Sequence, residues 1–230
     1  MEDSPLFQKT AQVSVEAGGG AAPSHNCETN GHLFENGVCT VCGEAKPSEG
    51  LEFTLNDDGE SYSVTGIGSC LDTNIVIPAT HEGKPVESIG LYAFKENLNI
   101  KEVIIHEGVT RICSRAFFGC SSLTSIILPE SITRIDPGAF YSCSALASIT
   151  IPDAVTIIES GAFLQCTSIT SITIPEVVTS IERTFNGCTS LTSVTLPSSI
   201  THISGSMFYD CYSLKHAIIP DSVTNIGSSA

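Results

Sequence analysis

From about residue 69 onward, hydrophobic and polar positions recur with a period close to 23 residues. In Leu123-x-x-Ile126-x-Leu128-Pro129 alternate side chains turn to one side, as a short strand requires. The proline has no N–H to give a ladder and so closes that strand. Ile132 to Ile135 predicts a second short extended piece running back along the other side. Gly138-Ala139-Phe140 then predicts a small residue and a large ring tucked inward before Cys143 turns the chain into the next strand. The same order returns down the chain. The proline column is Pro78, Pro129, Pro152, Pro175, Pro197 and Pro220, and the phenylalanine column is Phe94, Phe117, Phe140, Phe163, Phe185 and Phe208.

A fixed period of this length marks stacked repeats, in which one turn cannot bury its apolar face alone and neighbours must cover it. The pattern therefore predicts a β-rich solenoid of about seven strands over 51–230. One unit departs from the rest: three residues separate Ile181 from Phe185, where the others place four, so the stack is expected to shift there. Before the first turn, Leu51, Phe53 and Leu55 alternate, as do Tyr62 and Val64, around Asp58-Gly59, which predicts a hairpin capping the N-terminal end. The chain stops at Ala230, one residue short of the next phenylalanine position, and so reads as truncated without a C-terminal cap.

A cysteine column, Cys120, Cys143, Cys166, Cys188 and Cys211, begins with Asn97 one turn earlier. Asparagine and cysteine interchange in the turn of leucine-rich repeats. The exchange favours a buried ladder of turn side chains bonded to backbone over disulfides, because stacked side chains run parallel instead of facing one another. Cys113, flanked by Arg111 and Arg115, reads either as an activated thiol or as a small residue in the slot Gly90 fills one turn before.

Taken together, SIGLYAF, VTRICSRAFFGCSSLTSIILP and their successors resemble the BspA-like, or treponemal-type, leucine-rich repeats of bacterial surface antigens. GSCLDTNIVIPATHEGKPVESIGLYAF is similar to that family's opening turn, including its Gly-Lys-Pro loop. The resemblance covers about 51–230. It implies a right-handed solenoid with a parallel sheet on its concave face, display at a cell surface or secretion, and adhesive binding of proteins or other cells.

The N-terminal quarter has a different grammar. Cys39-Thr-Val-Cys42-Gly43 has the spacing at which two thiolates on a tight turn take adjacent tetrahedral positions on zinc. His32 and Cys27 complete a Cys3His set with Cys39 and Cys42, His25 being a substitute for Cys27. So few apolar residues need a staple to fold, and a structural zinc knuckle over 25–44 supplies one. The segment is similar to small zinc-binding Cys-x-x-Cys-Gly motifs in bacterial repeat proteins. A Cys39–Cys42 disulfide and an unstructured segment are the alternatives. Residues 1–24 and 45–50 read as linkers.

Charge narrows the partners. With 25 acids against 10 bases the net is −15, and no basic cluster exists for nucleic acid or an anionic membrane. No apolar run approaches a membrane span, and the N-terminus has no recognisable signal peptide. Asn56-Asp57-Asp58-Gly59 lacks the bidentate glutamate of a calcium loop, and no nucleophile, base and orienting group stand at triad positions, so no catalytic residue is assigned.

The outward strand positions carry small hydroxyls instead: Thr124 and Ser125; Ser148 and Thr150; Thr170, Ser171 and Thr173; Thr192, Ser193 and Thr195. This face is the candidate partner surface. The chain accordingly reads as a non-enzymatic interaction module, with an intracellular, cytoplasmic scaffold or an accessory module of a larger enzyme as alternatives.

Overall fold

The structure is a computed structural model that describes residues 34–35, 38–40 and 45–230. Contacts divide the chain into two units, Met1–Pro47 and Ser48–Ala230.

In the first unit, strands β1 (Phe34–Glu35) and β2 (Val38–Cys39) pair antiparallel with Glu35 opposite Val38. The two residues between them in the sequence are Asn36-Gly37, the pair best suited to a two-residue hairpin connection. Ala45 bridges back to Val38, so the stretch read as a linker begins in this ribbon.

The second unit opens on the antiparallel hairpin β3 (Glu52–Leu55) and β4 (Tyr62–Gly66). Asp58 makes its turn: its carboxylate accepts from the backbone N–H groups of Glu60 and Ser61 and from the Ser61 hydroxyl. Those bonds, led by Glu60, lower the pKa of Asp58, and they use the carboxylate as a turn acceptor. Next come β5 (Asn74–Ile77) and the hairpin β6 (Thr80–His81) and β7 (Lys84–Ile89). Two full turns follow, with β8 (Glu102–Ile105) and β9 (Arg111–Ile112), then β10 (Ser125–Ile127) and β11 (Arg134–Ile135). After them stand β12 (Ile157–Ile158) and β13 (Ser171–Thr173), one strand in each of two successive turns. The chain closes with β14 (Ser193–Thr195), β15 (His202–Ile203), β16 (His216–Ile218) and β17 (Asn225–Ile226).

These strands form two rows. Along the first, β5, β8 and β10 pair parallel, and β13, β14 and β16 do the same. Along the second, β4, β7, β9, β11 and β12 run parallel in one sheet, with β3 at its antiparallel edge, and β15 pairs with β17. Each row is broken once: at 147–151 in the first, between β10 and β13, and at 180–181 in the second, between β12 and β15.

The core runs along the stack. Ile75, Val103, Ile126, Ile149, Ile172 and Val194 are buried from the first row, and Ile89, Ile112, Ile135 and Ile158 from the second. Phe94, Phe117, Phe140, Phe163 and Phe185 are all fully enclosed. Their rings stack face to face, with centroids 5.2, 5.4 and 5.4 Å apart down to Phe163. The spacing then widens to 6.4 Å at Phe163–Phe185 and is 5.9 Å at Phe185–Phe208.

The shortened unit thus shows where it was expected, and a second cause joins it. Preceding each phenylalanine is Ala93, Ala116, Ala139 or Ala162, but then Thr184 and Met207. Both larger side chains are fully buried in the alanine slot. The backbone bond of the phenylalanine N–H to the next turn's alanine carbonyl recurs from Phe94, Phe117 and Phe140 and stops, among the described residues, at Phe163. A bulkier slot on a shorter connection holds the two turns apart.

Candidate functional site: the strand face and the thiol ladder

The turn column settles what its cysteines do. Asn97 Oδ1 accepts from the N–H of Asn99 at 2.9 Å and of Ile100 at 3.1 Å, capping its own bend. Each thiol reaches the other way. Cys120 donates to the carbonyl of Phe94 at 3.0 Å, Cys143 to Phe117 and Cys166 to Phe140 at 3.1 Å, Cys188 to Phe163 at 3.2 Å and Cys211 to Phe185 at 3.0 Å. An acceptor-only role in one turn becomes a donor role between turns, so the thiol must keep its hydrogen. Burial enforces this by pushing Cys120 and Cys188 up to about 12, Cys211 up to about 11, and Cys143 and Cys166 well above 9. None of the five pairs in a disulfide.

Cys113 is likewise no activated thiol. It is half-buried, and burial raises its pKa despite the opposing pull of Arg111. Its N–H bonds the carbonyl of Ile89 as the N–H of Gly90 bonds that of Val64, so it occupies the same slot. One turn later the slot holds Asp136, which is 2% exposed. Arg111 donates to its Oδ2 from Nε at 2.9 Å and Nη2 at 2.6 Å, and Arg134 donates to its Oδ1 at 2.6 Å. Arg134 then reaches Glu159 in the following turn at 2.7 Å. Arg111 and Arg134 lie 23 residues apart, as do Asp136 and Glu159, so the period itself carried the signal for this cross-turn chain.

The expected partner face lies where the strand alternation puts it. In β13 and β14 the middle residues, Ile172 and Val194, are buried, while Ser171, Thr173, Ser193 and Thr195 are exposed. Register stacks Ser171 beside Ser193 and His216, and Thr173 beside Thr195 and Ile218. Ser148, Thr150 and Thr170 are also exposed. Between them the break at 147–151 opens a groove of about 400 Å³, lined by Ser148, Thr150, Ser171, Thr173 and Asp153 among others.

Not every hydroxyl is available. Thr124 donates to the carbonyl of Lys101 and Thr192 to that of Thr170, both at 2.9 Å, and both serve the stack. Ser125 is half-buried beside Glu102 of β8, and the next file there is Val76, Ile104 and Ile127. The free hydroxyls belong to the C-terminal half of the row.

Of the four residues expected to hold zinc, Cys39 is described, buried at the end of β2. Cys27, His32 and Cys42 lie outside the described residues. Among the described residues no group of three or more His, Cys, Asp or Glu side chains comes together as a metal site, and no helix is long and apolar enough to cross a membrane.

Parallel strand rows, an axial stack of phenylalanines and a period near 23 residues define a leucine-rich-repeat β-solenoid of about seven turns. The chain belongs to the BspA-type leucine-rich repeat family, whose model matches in six copies over residues 87–184 and 166–230. Among solved structures it is similar to the leucine-rich repeat protein of T. pallidum, at 27% identity and a TM-score of 0.74 over 80% of this chain and 86% of that one. It is also similar to a leucine-rich cell surface protein of Faecalibacterium prausnitzii, at 34% identity and a TM-score of 0.65, covering 80% of this chain and 50% of that one. A leucine-rich repeat protein of Bacteroides ovatus matches at 27% and 0.61, covering 78% and 54%. The chain therefore spans most of the first and about half of the other two. No functionally curated protein matches it.

Proposed function

We propose that this chain is a non-catalytic binding module displayed at a bacterial cell surface, and that its exposed hydroxyl face receives a protein partner. The observation that carries the reading is the paired ladder Ser171–Ser193 and Thr173–Thr195, whose side chains are exposed while every intervening residue is committed to the core. Short hydroxyl side chains lose little conformational freedom on contact and pair with backbone or side-chain groups of a partner. A solenoid offers such a surface as one extended, concave platform. The similar F. prausnitzii protein is described as a cell surface protein, which supports the same placement here.

Two structural roles complete the reading. Hairpin β3–β4 continues the second row and covers its first turn with Leu51 and Val64 buried, and so acts as the N-terminal cap. Cys27, His32, Cys39 and Cys42 hold a structural zinc that staples the N-terminal module.

The face is tested by coating beads with the chain and measuring their attachment to neighbouring bacterial or host cells. Thr173→Arg with Thr195→Arg places two long charged side chains on adjacent strands. It is expected to abolish attachment while leaving the β circular dichroism unchanged. Undiminished attachment by that folded variant argues against the face.

A further inference from the structure

Where each turn leaves the second strand row for the phenylalanine column, one residue takes a left-handed backbone: Tyr92 at φ 57, Arg115 at 53, Gly138 at 62 and Gly161 at 66. Glycine does this without a clash, whereas tyrosine and arginine do so at a steric cost, as Arg183, Ser206 and Ser229 do further along the same column. The result is a wall of two long side chains beside a floor with no Cβ atoms. A Cβ on Gly138 would stand 3.3 Å from Arg115 Cγ and 3.9 Å from its Nε, so the arginine leans over that floor.

The guanidinium is held in place. Arg115 Nη1 donates to the Tyr92 hydroxyl at 2.7 Å, and its Cζ lies 5.9 Å from the Tyr92 ring. Lys95 stands 5.5 Å from the centre of the same ring. Tyr141 also lines the pocket, fixed by an edge contact with Phe118 at 5.0 Å, and Ser114 and Ser160 add hydroxyls. The space is about 400 Å³, within the ~300–1,000 Å³ of small-ligand sites.

Its charge is what singles it out. The chain carries 25 acids and 10 bases, yet no carboxylate lines this pocket. Arg111 and Arg134 are taken by Asp136 and Glu159, and Lys95 lies 3.8 Å from Glu96. Arg115 makes no ion pair among the described residues, and its Nε and Nη2 edge has no partner there.

We propose that this pocket binds an acidic sugar, a pyranose ring bearing a carboxylate. The free edge of Arg115 matches a carboxylate with two parallel N–H bonds. The tyrosine rings offer apolar faces to the C–H side of a pyranose, and the serines suit its hydroxyls. A bare phosphate would use the arginine and leave the rings and serines idle. This site is separate from the hydroxyl face and does not depend on it.

The full chain is titrated with sodium D-glucuronate by ligand-observed NMR, alongside D-glucose, N-acetyl-alanine and inorganic phosphate. Glucuronate is expected to bind saturably, and each of the other three at least about tenfold more weakly, since each lacks one half of the recognition. Arg115→Gln should lose about tenfold or more. Arg115→Gly, which also relieves the left-handed backbone, should lose as much while keeping the fold. Tyr92→Phe, which frees the guanidinium, should lose several-fold. Glucose, acetyl-alanine or phosphate binding as tightly as glucuronate would overturn the acidic-sugar assignment. So would undiminished glucuronate binding by either Arg115 variant.

Discussion

Raising the pH from 7 to 10 should strip this solenoid of much of its stability, and the cysteine column sets by how much. In the stack, Cys120, Cys143, Cys166, Cys188 and Cys211 are protonated donors, four of them fully enclosed and Cys211 only 9% exposed. Burial raises Cys120 and Cys188 to about 12, Cys211 to about 11, and Cys143 and Cys166 well above the ordinary value of 9. Because the folded values are raised, their stabilising contribution is complete below pH 9. It is lost as pH climbs from 9 towards those values, where the unfolded chain ionises and the folded one cannot. At pH 10 each thiol accounts for between about 1 and 2 kcal/mol, and the five together for roughly 7 kcal/mol. Domains of this kind are stable by only about 5–15 kcal/mol, so the loss is most of the margin.

Urea unfolding under reducing conditions, followed by far-ultraviolet circular dichroism at pH 7, 9 and 10, reads it directly. The midpoint should hold between pH 7 and 8 and fall steeply by pH 10. Cys166→Ala should remove about one fifth of that pH dependence, after an initial cost of about 2 kcal/mol at pH 7 for the lost contact and bond. A loss below about 2 kcal/mol between pH 7 and 10 would refute the reasoning. Rapid alkylation of the ladder thiols in the folded protein would refute it too.

Three further outcomes follow from particular contacts. Phe163→Ala removes a ring stacked on both neighbours and should destabilise the repeat unit by about 3–5 kcal/mol in urea titration; a cost under ~1 would deny the inward phenylalanine column. Asp136→Ala strands Arg111 and Arg134 against each other. Because both arginines keep a third or more of their side-chain surface in water, the expected cost is about 2–3 kcal/mol, larger than that of Glu159→Ala. Cys39→Ser should abolish zinc binding in a competitive chelator titration while the β signal of the repeats survives; joint unfolding would show that the two units depend on one another.

What could be read in advance follows what the chain repeats. Phe117, Phe140 and Phe163, the proline column and the cysteine column each recur at steps of 22 or 23 residues from Phe117, Pro129 and Cys120 on, so their inward or turn placement is legible in the sequence. Asn97 announced the buried turn ladder, but not that its cysteine successors bond to the preceding turn instead of their own bend. The shorter link from Ile181 to Phe185 was countable. The larger Thr184 and Met207 in the alanine slot were equally visible, and their volume was the signal to weigh. The Arg111–Asp136–Arg134–Glu159 chain follows the period, with both arginines and both acids 23 residues apart, and was legible there, whereas the Arg115 pocket depends on Gly138 and Gly161, which only stacking brings beside the arginine. The hydroxyl face was legible as alternation, whereas the hydroxyls of Thr124 and Thr192 are consumed by carbonyls one turn away that no local pattern reveals.

Protease shaving of intact cells that make this protein tests the central reading most directly. Mass spectrometry of the released peptides should find solenoid sequence, such as the run from Ser121 to Arg134, before any cytoplasmic marker appears. Solenoid peptides that are absent from the shaved fraction and emerge only after lysis would contradict surface display and point to a scaffold inside the cell.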